Sequence, residues 1–496
     1  MKKLTAIGME TTQLPKPHLV VIPSPITSHI IPTVDICCLL AAHGAPVTII
    51  TTPASAELVQ SRVHRAGQGS SAGITVTAIP FPGAEAGLPD GCERLDHVPS
   101  VALLQKFFHA TELFGEAAAQ HCRRLMAPRR PTCVVAGMCN TWAHAMAREL
   151  GAPCFIFYGH GAFSSLCFDY LYTHRPQEAV ASLDEPFDVP VLPSFDECKF
   201  TRRQLPVFFQ QSTNIKDGVL RGIREFDMAV DGIVVNSFEE LERDSAARLA
   251  AATGKAVLAV GPVSLCGADS RAGTGSSDEA RRCVAWLDAK KASSVLYVCF
   301  GSNGRMPPAQ LMQLGLALVA CPWPVLWVIK GADTLPDHVN EWLQHNTDVA
   351  DGQCLVVRGW APQVPILEHP AVGGFLTHCG WGSTLESVAA GVPMATWPFF
   401  AEQFMNEKLI VDVLGIGVSV GVTKPTENLL NGVKDGAEPE VGTEQVKRAL
   451  NKLMDGGAQG EDRRSKAREL KAKAKAALEN GGSSYMNLEK LIQFAA

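Results

Sequence analysis

The chain has 496 residues, 46% of them hydrophobic and 19% charged, with a formal net charge of −6. That length exceeds one ordinary core, so two domains are the natural count, and the acidic balance opposes a polyanionic partner such as nucleic acid. No apolar run is long enough to span a membrane, and the fifteen cysteines lack any C-x-x-C spacing, so neither a zinc site nor a disulfide framework is suggested; a cytoplasmic monomer is expected.

Along the chain, PHLVVIPSP, IIPTVDICCLLAAHG and APVTIITT alternate short apolar strands with a helical pattern. This is the grammar of βαβ units, which predicts parallel sheets with helices on both faces. His29 falls directly after the first strand and before a helix with Pro32 in its first turn. A helix N-terminus disfavours the imidazolium and keeps the ring neutral, able to accept a proton. Read alone, a histidine at such a turn is more often a cap or a satisfied polar group. Asp35, six residues on, faces elsewhere. Further along come LLQKFFHATELF with Phe107, the strand-like PTCVVAGMCNTW with Met138 and Asn140, and FIFYGHGAF with His160. Their apolar and aromatic residues suit either a core or a pocket for a small apolar molecule.

The Gly/Ser/Asp-rich stretch 265–282 reads as a linker. It divides an N-terminal domain, 1–264, from a second domain, 283–476, in which SSVLYVCFGS, PVLWVIKG, CLVVRGW and GGFLTH resume the alternation. The segment from Lys424 to Gly442 reads as a mobile surface loop, and the basic run RRSKARELKAKAKAALEN as a solvated helix. A last helix, 477–496, is expected to pack back on the first domain.

The richest stretch runs from Trp360 to Gln403, WAPQVPILEHPAVGGFLTHCGWGSTLESVAAGVPMATWPFFAEQ. A hydrophobic strand leads into His378, Cys379, Gly380, Trp381, Gly382 and Ser383, and the helical run TLESVAA follows. Unpaired N–H groups and the positive helix end point into that turn, where a diphosphate would sit. Ser383 and Glu386 spell a capping box, and Gly391-Val392-Pro393 a stop signal. No Asp-x-Asp pair is present to chelate a cation, so a metal is not expected.

This stretch resembles the signature box of plant family 1 glycosyltransferases, which transfer sugars from UDP-sugars to small molecules, and weaker similarity covers nearly the whole chain. The resemblance implies an α/β fold of two facing Rossmann-like domains with a cleft between them, the GT-B type. It implies that Trp360 stacks on uracil, that Ala361 and Gln363 contact base and ribose, and that Glu386 holds the ribose hydroxyls. His378 and Ser383, with Ser302, would hold the phosphates, Gly380 and Gly382 would belong to the same donor site, and Trp381, Glu402 and Gln403 would bind the sugar. A final Gln favours UDP-glucose as co-substrate, with no further cofactor. His29 would deprotonate a hydroxyl of the acceptor, a phenolic, flavonoid or terpenoid, for one inverting displacement. The acceptor pocket would involve Phe107, Met138, Asn140 and His160.

Three positions depart from the family pattern. Ser28 stands where a Gly is usual, Gly382 where an Asn is usual, and Gly137 where an Asp normally orients the base. General acid–base catalysis contributes about 10²- to 10⁴-fold, so the loss of that partner matters. The alternatives are a UDP-sugar-binding protein with weak or lost catalysis, or a C-glucosyltransferase.

Overall fold

The computed structural model describes residues 17–66, 73–125, 130–192, 198–210, 214–266, 278–301, 304–347, 352–426 and 438–495. Ser302, most of the stretch read as a linker and the middle of the 424–442 loop lie outside these residues.

Fifteen strands are described: β1 (Leu19–Ile22), β2 (Val47–Thr51), β3 (Ile74–Ala78), β4 (Cys133–Gly137), β5 (Cys154–Tyr158), β6 (Pro186–Asp188), β7 (Lys199–Thr201), β8 (Gly232–Val235), β9 (Ala256–Ala259), β10 (Val295–Cys299), β11 (Val325–Ile329), β12 (Cys354–Arg358), β13 (Val372–Thr377), β14 (Met394–Thr396) and β15 (Gly417–Ser419). A seven-stranded sheet has the order β3-β2-β1-β4-β5-β8-β9, and a six-stranded sheet the order β12-β11-β10-β13-β14-β15. Every pairing within these two sheets is parallel. Strands such as LVVI, CVVAG and VLYVC are buried along their whole length, because helices cover both faces of a parallel sheet and leave no wet side.

Strand order reverses beside β1 in the first sheet and beside β10 in the second. In open parallel sheets the crevice at that reversal, outside the carboxyl ends of the strands, is where ligands bind. His29 lies in the helix that follows β1, Gly137 ends β4 and His160 follows β5, while Gly301 and His378 follow β10 and β13. The fold therefore brings the residues singled out above to the two facing sheet edges.

Two features of the first helix differ from expectation. It spans Thr27–Ala42, so His29 lies inside its first turn, and Pro32 stands one turn further in than a helix start favours. The helix begins early because its first N–H is capped from afar: Asp96 accepts both the Thr27 N–H, at 3.2 Å, and the Thr27 hydroxyl, at 2.7 Å. Asp35 does face elsewhere, forming a two-pronged pair with Arg62 at 2.6 Å.

At the chain's end, the Ala458–Leu478 helix packs on the Trp381–Ala390 helix and on Glu239–Thr253. The Ser483–Phe494 helix then lies on β9, where Asn487 Nδ2 donates to Ala259 O at 3.0 Å and the Ser484 hydroxyl to Gly261 O at 2.5 Å.

Candidate active site

Two glycines seat the His29 side of the cleft. A Cβ at Gly159 would lie 2.5 Å from His29 Cε1 and 2.6 Å from Nδ1, so the imidazole rests on the bare backbone of the turn after β5. The ring keeps some surface at the cleft, while its Nδ1 is sealed and has no hydrogen-bond partner among the described residues. Burial lowers its pKa to about 4. The neutrality expected of a base is therefore present, through desolvation, where the helix dipole was expected to supply it.

The place of the orienting carboxylate is closed. A Cβ at Gly137 would meet Ser24 Cβ at 2.9 Å, and Ser24 N and Oγ closer still. Ser24 is fully buried and its hydroxyl accepts the Cys139 N–H at 3.3 Å. The loops after β1 and β4 have closed on each other where a side chain would stand.

The opposite wall is the turn after β13. Cys379 adopts a left-handed φ of 63°, unusual for a residue with a Cβ, and turns the chain so that the Trp381–Ala390 helix starts at the sheet edge. His378 is wedged between two glycines, since a Cβ at Gly301 would lie 2.6 Å from its Cε1 and one at Gly380 2.9 Å from the same atom. Burial lowers His378 to about 4 as well. Behind it, the Gln363 amide donates to Ser383 Oγ at 2.9 Å and to Glu386 Oε2 at 2.7 Å, and accepts the Tyr297 hydroxyl at 3.3 Å. Trp360 stands 68% exposed beside this cluster, with Ala361 buried next to it. A cavity of about 260 Å³, lined by Gly301, Arg305, Trp327 and Lys330, opens at the ends of β10 and β11.

Glu402 and Gln403 are fixed differently from each other. Glu402 Oε1 accepts the Asn406 amide at 3.4 Å; burial pushes the pKa of its carboxyl up, against the smaller pull of the nearby backbone N–H groups and of Asn406. Gln403 Oε1 accepts the N–H groups of Phe399, at 2.8 Å, and Phe400, at 3.1 Å, which leaves the amide nitrogen as the end that can donate to a ligand.

The structure places several of these residues differently from expectation. Ser383 is not an N-cap: the cap is Gly380, three residues earlier, and the Ser383 hydroxyl instead accepts the Gln363 amide. Of Trp381, expected at the sugar, the indole is engaged elsewhere. It is buried, lies where a Gly161 Cβ would come within 2.7 Å of it, and donates Nε1–H to Asn236 O at 2.7 Å, joining the two domains. Phe107 belongs to a small core with Leu88, Cys92, Val98 and Ala110. Asn140 is buried, with its Nδ2 donating to Ile22 O and Pro23 O at 3.1 Å each, so it ties two loops together. Met138 packs half-buried against the main core.

The supporting residues Gly159, Gly161, Asp96 and Glu242 were not anticipated. Glu242 is buried under Gly161 and accepts the Ala162 and Phe163 N–H groups at 3.1 and 2.8 Å and the Ser237 hydroxyl at 2.5 Å. It thereby caps the Ala162–His174 helix behind the His160 turn. The apolar-then-acidic string around it signals only a helix start.

The family model described as UDP-glucoronosyl and UDP-glucosyl transferase matches residues 272–448. The chain is 40% identical to UDP-glycosyltransferase 73D1 of Arabidopsis thaliana, covering 96% of each. It is 38% identical to UDP-glucose flavonoid 3-O-glucosyltransferase 7 of Fragaria ananassa, covering 98% of this chain and 97% of the relative. Among solved structures, Glycyrrhiza uralensis UGT73P12, complexed with glycyrrhetinic acid 3-O-monoglucuronide, superposes with a TM-score of 0.84 at 35% identity over 97% of this chain and 96% of its own. Phytolacca americana UGT2, complexed with UDP-2fluoro-glucose and pterostilbene, gives 0.74 at 26% identity over 97% and 100%.

Proposed function

Because the chain belongs to the plant UDP-glycosyltransferase family and has its two-domain GT-B fold, we propose that it moves glucose from UDP-glucose to a hydroxyl of a small, largely apolar plant metabolite, with His29 as general base. The class of acceptor is a phenolic, flavonoid or terpenoid. The carrying observation is the placement of a neutral, partly exposed imidazole on the Gly159 turn, facing a helix N-terminus across a seam made by Trp381 and Gly161.

In this reading the acceptor hydroxyl gives its proton to His29 Nε2 while its oxygen attacks the anomeric carbon. The bond to UDP breaks on the opposite side, and the sugar leaves with inverted configuration. Charge developing on the diphosphate meets the N–H groups of Gly382 and Ser383, which have no intrahelical partner by position. The Gln363, Ser383 and Glu386 cluster lies where the ribose hydroxyls would be held, beside the exposed face of Trp360. The sugar would meet the Gln403 amide nitrogen.

Mass-spectrometric detection of glucosylated product from UDP-glucose and a panel of phenols, flavonoids and terpenoid alcohols tests this, with His29→Ala alongside. Product formation that falls about 10²- to 10⁴-fold in the variant is expected. The unpartnered Nδ1 of His29 also suits a second reading, a UDP-sugar-binding protein with lost catalysis. UDP-glucose binding without product from any acceptor would favour it.

A further inference from the structure

The turn after β5 holds a second imidazole whose protonation pattern can be read from its neighbours. His160 is buried between the ring of Tyr158, stacked at 4.8 Å and 17°, and that of Phe168, edge-on at 5.4 Å. Its Nδ1 faces Ser165 Oγ at 3.0 Å, Gly161 O at 3.4 Å and Ser164 Oγ at 3.5 Å. Each serine has one hydrogen to give, and each stands close to Gly161 O, at 2.8 Å for Ser165 and 3.1 Å for Ser164. That carbonyl also accepts the Ser165 N–H at 3.1 Å, so it cannot take both hydroxyl hydrogens as full bonds. It can only accept, however, and it faces Nδ1 as well, which places the ring proton on Nδ1. Burial lowers the pKa of His160 to about 4, so the ring stays neutral and Nε2 bears the lone pair.

That Nε2 makes no hydrogen bond among the described residues and, unlike Nδ1 of His29, is not sealed. His160 also follows directly on Gly159, on whose bare backbone the His29 imidazole rests. The cleft thus presents two hydrogen-bond acceptors side by side, which complement a ligand with two neighbouring donors.

We propose that His160 is a positioning residue of the transfer site, its Nε2 accepting a hydrogen bond from a substrate hydroxyl next to the one that His29 deprotonates. This rests on the transferase reading. The hydroxyl has two sources: a vicinal hydroxyl on the acceptor, as in a catechol, or a hydroxyl of the sugar.

The test compares wild type with His160→Phe, which keeps a ring between Tyr158 and Phe168, and with His160→Gln, which restores an acceptor oxygen near the Nε2 position. Catechol and the corresponding phenol serve as acceptors, and binding of UDP-glucose, UDP and catechol is measured by calorimetry. A loss of about tenfold, the net worth of one hydrogen bond, confined to catechol in His160→Phe and partly regained in His160→Gln, assigns the bond to the acceptor. A similar loss for both acceptors, with weaker UDP-glucose binding and unchanged UDP binding, assigns it to the sugar. Unchanged kinetics and binding in His160→Phe would overturn the proposal, as would a uniform loss that includes UDP binding. If that variant does not fold, His160→Gln decides by whether it retains catechol or UDP-glucose binding that His160→Ala lacks. Absence of product from wild type would sink the transferase reading, and the binding comparisons would still decide on His160.

Discussion

Restoring the family's carboxylate by Gly137→Asp should harm this protein. The new Cβ would fall 2.9 Å from Ser24 Cβ and closer to Ser24 N and Oγ. A flexible side chain could swing away, but a backbone nitrogen held by the pairing of Ile22 with Ala136 cannot. Overpacking of this kind costs about 1–3 kcal/mol. At roughly 2–4 °C per kcal/mol for a domain of some 200 residues, Gly137→Ala alone should lower Tm by about 2–12 °C. Asp adds a buried carboxylate beside the already occupied Ser24 hydroxyl, so its loss should exceed that of Ala. Ser24→Gly removes two of the three clashing atoms and leaves the nitrogen, so the double variant should recover only part of the loss. Thermal unfolding of the four proteins, with glucosyl transfer measured in parallel, checks the reasoning. A Gly137→Asp protein with unchanged Tm or a faster turnover would show that the loop opens freely there, and the closure described here would be wrong.

Gly382→Asn behaves in the opposite way. Nothing lies within 4 Å of a Cβ at Gly382, and glycine is the poorer helix residue by up to about 1 kcal/mol. Unchanged or slightly raised Tm is therefore expected, with UDP-glucose affinity equal or tighter by calorimetry; a destabilised variant would contradict it. Trp381→Phe leaves the buried Asn236 carbonyl without its donor and should cost about 1–3 kcal/mol in denaturant unfolding; no change would show that the bond does not tie the domains. His29, His160 and His378 all have pKa values lowered to about 4 in the folded protein, below that of a free imidazole. The unfolded chain binds more protons between pH 6.5 and 4, so this stability is complete above about pH 6.5 and is lost as pH falls toward 4. Denaturation midpoints measured across that window should drop steadily, and a flat profile would refute the assignment. The acid limb of kcat/KM should accordingly lie below about pH 5.

What the sequence made legible was whatever is encoded locally. The βαβ alternation and the run from Trp360 to Gln403 are contiguous, and their turn, helix and acid-amide pair appear in chain order. The misreadings share a cause, which is a partner distant in sequence. Ser383 looks like a cap until Gln363 is seen on its hydroxyl, and the first helix seems to begin after His29 until Asp96 reaches Thr27. Phe107 and Asn140 lie in apolar stretches whose periodicity is the same for a core and for a pocket. Gly159 and Gly161 carry no local signal, because what requires them to lack a side chain is a ring brought in from residue 29 or 381.

The indole of Trp381 has a mechanical meaning as well. It is anchored to Asn236 and pressed on Gly161, so the donor turn and the loops beside His29 are pinned together there, while the Gln403–Lys408 helix on Ala162–His174 and the Ala458–Leu478 helix on Glu239–Thr253 hold the domains at two further places. Attachments spread over three places resist a hinge about any one of them, so the spacing between the base and the donor turn is set by the two domains as a unit.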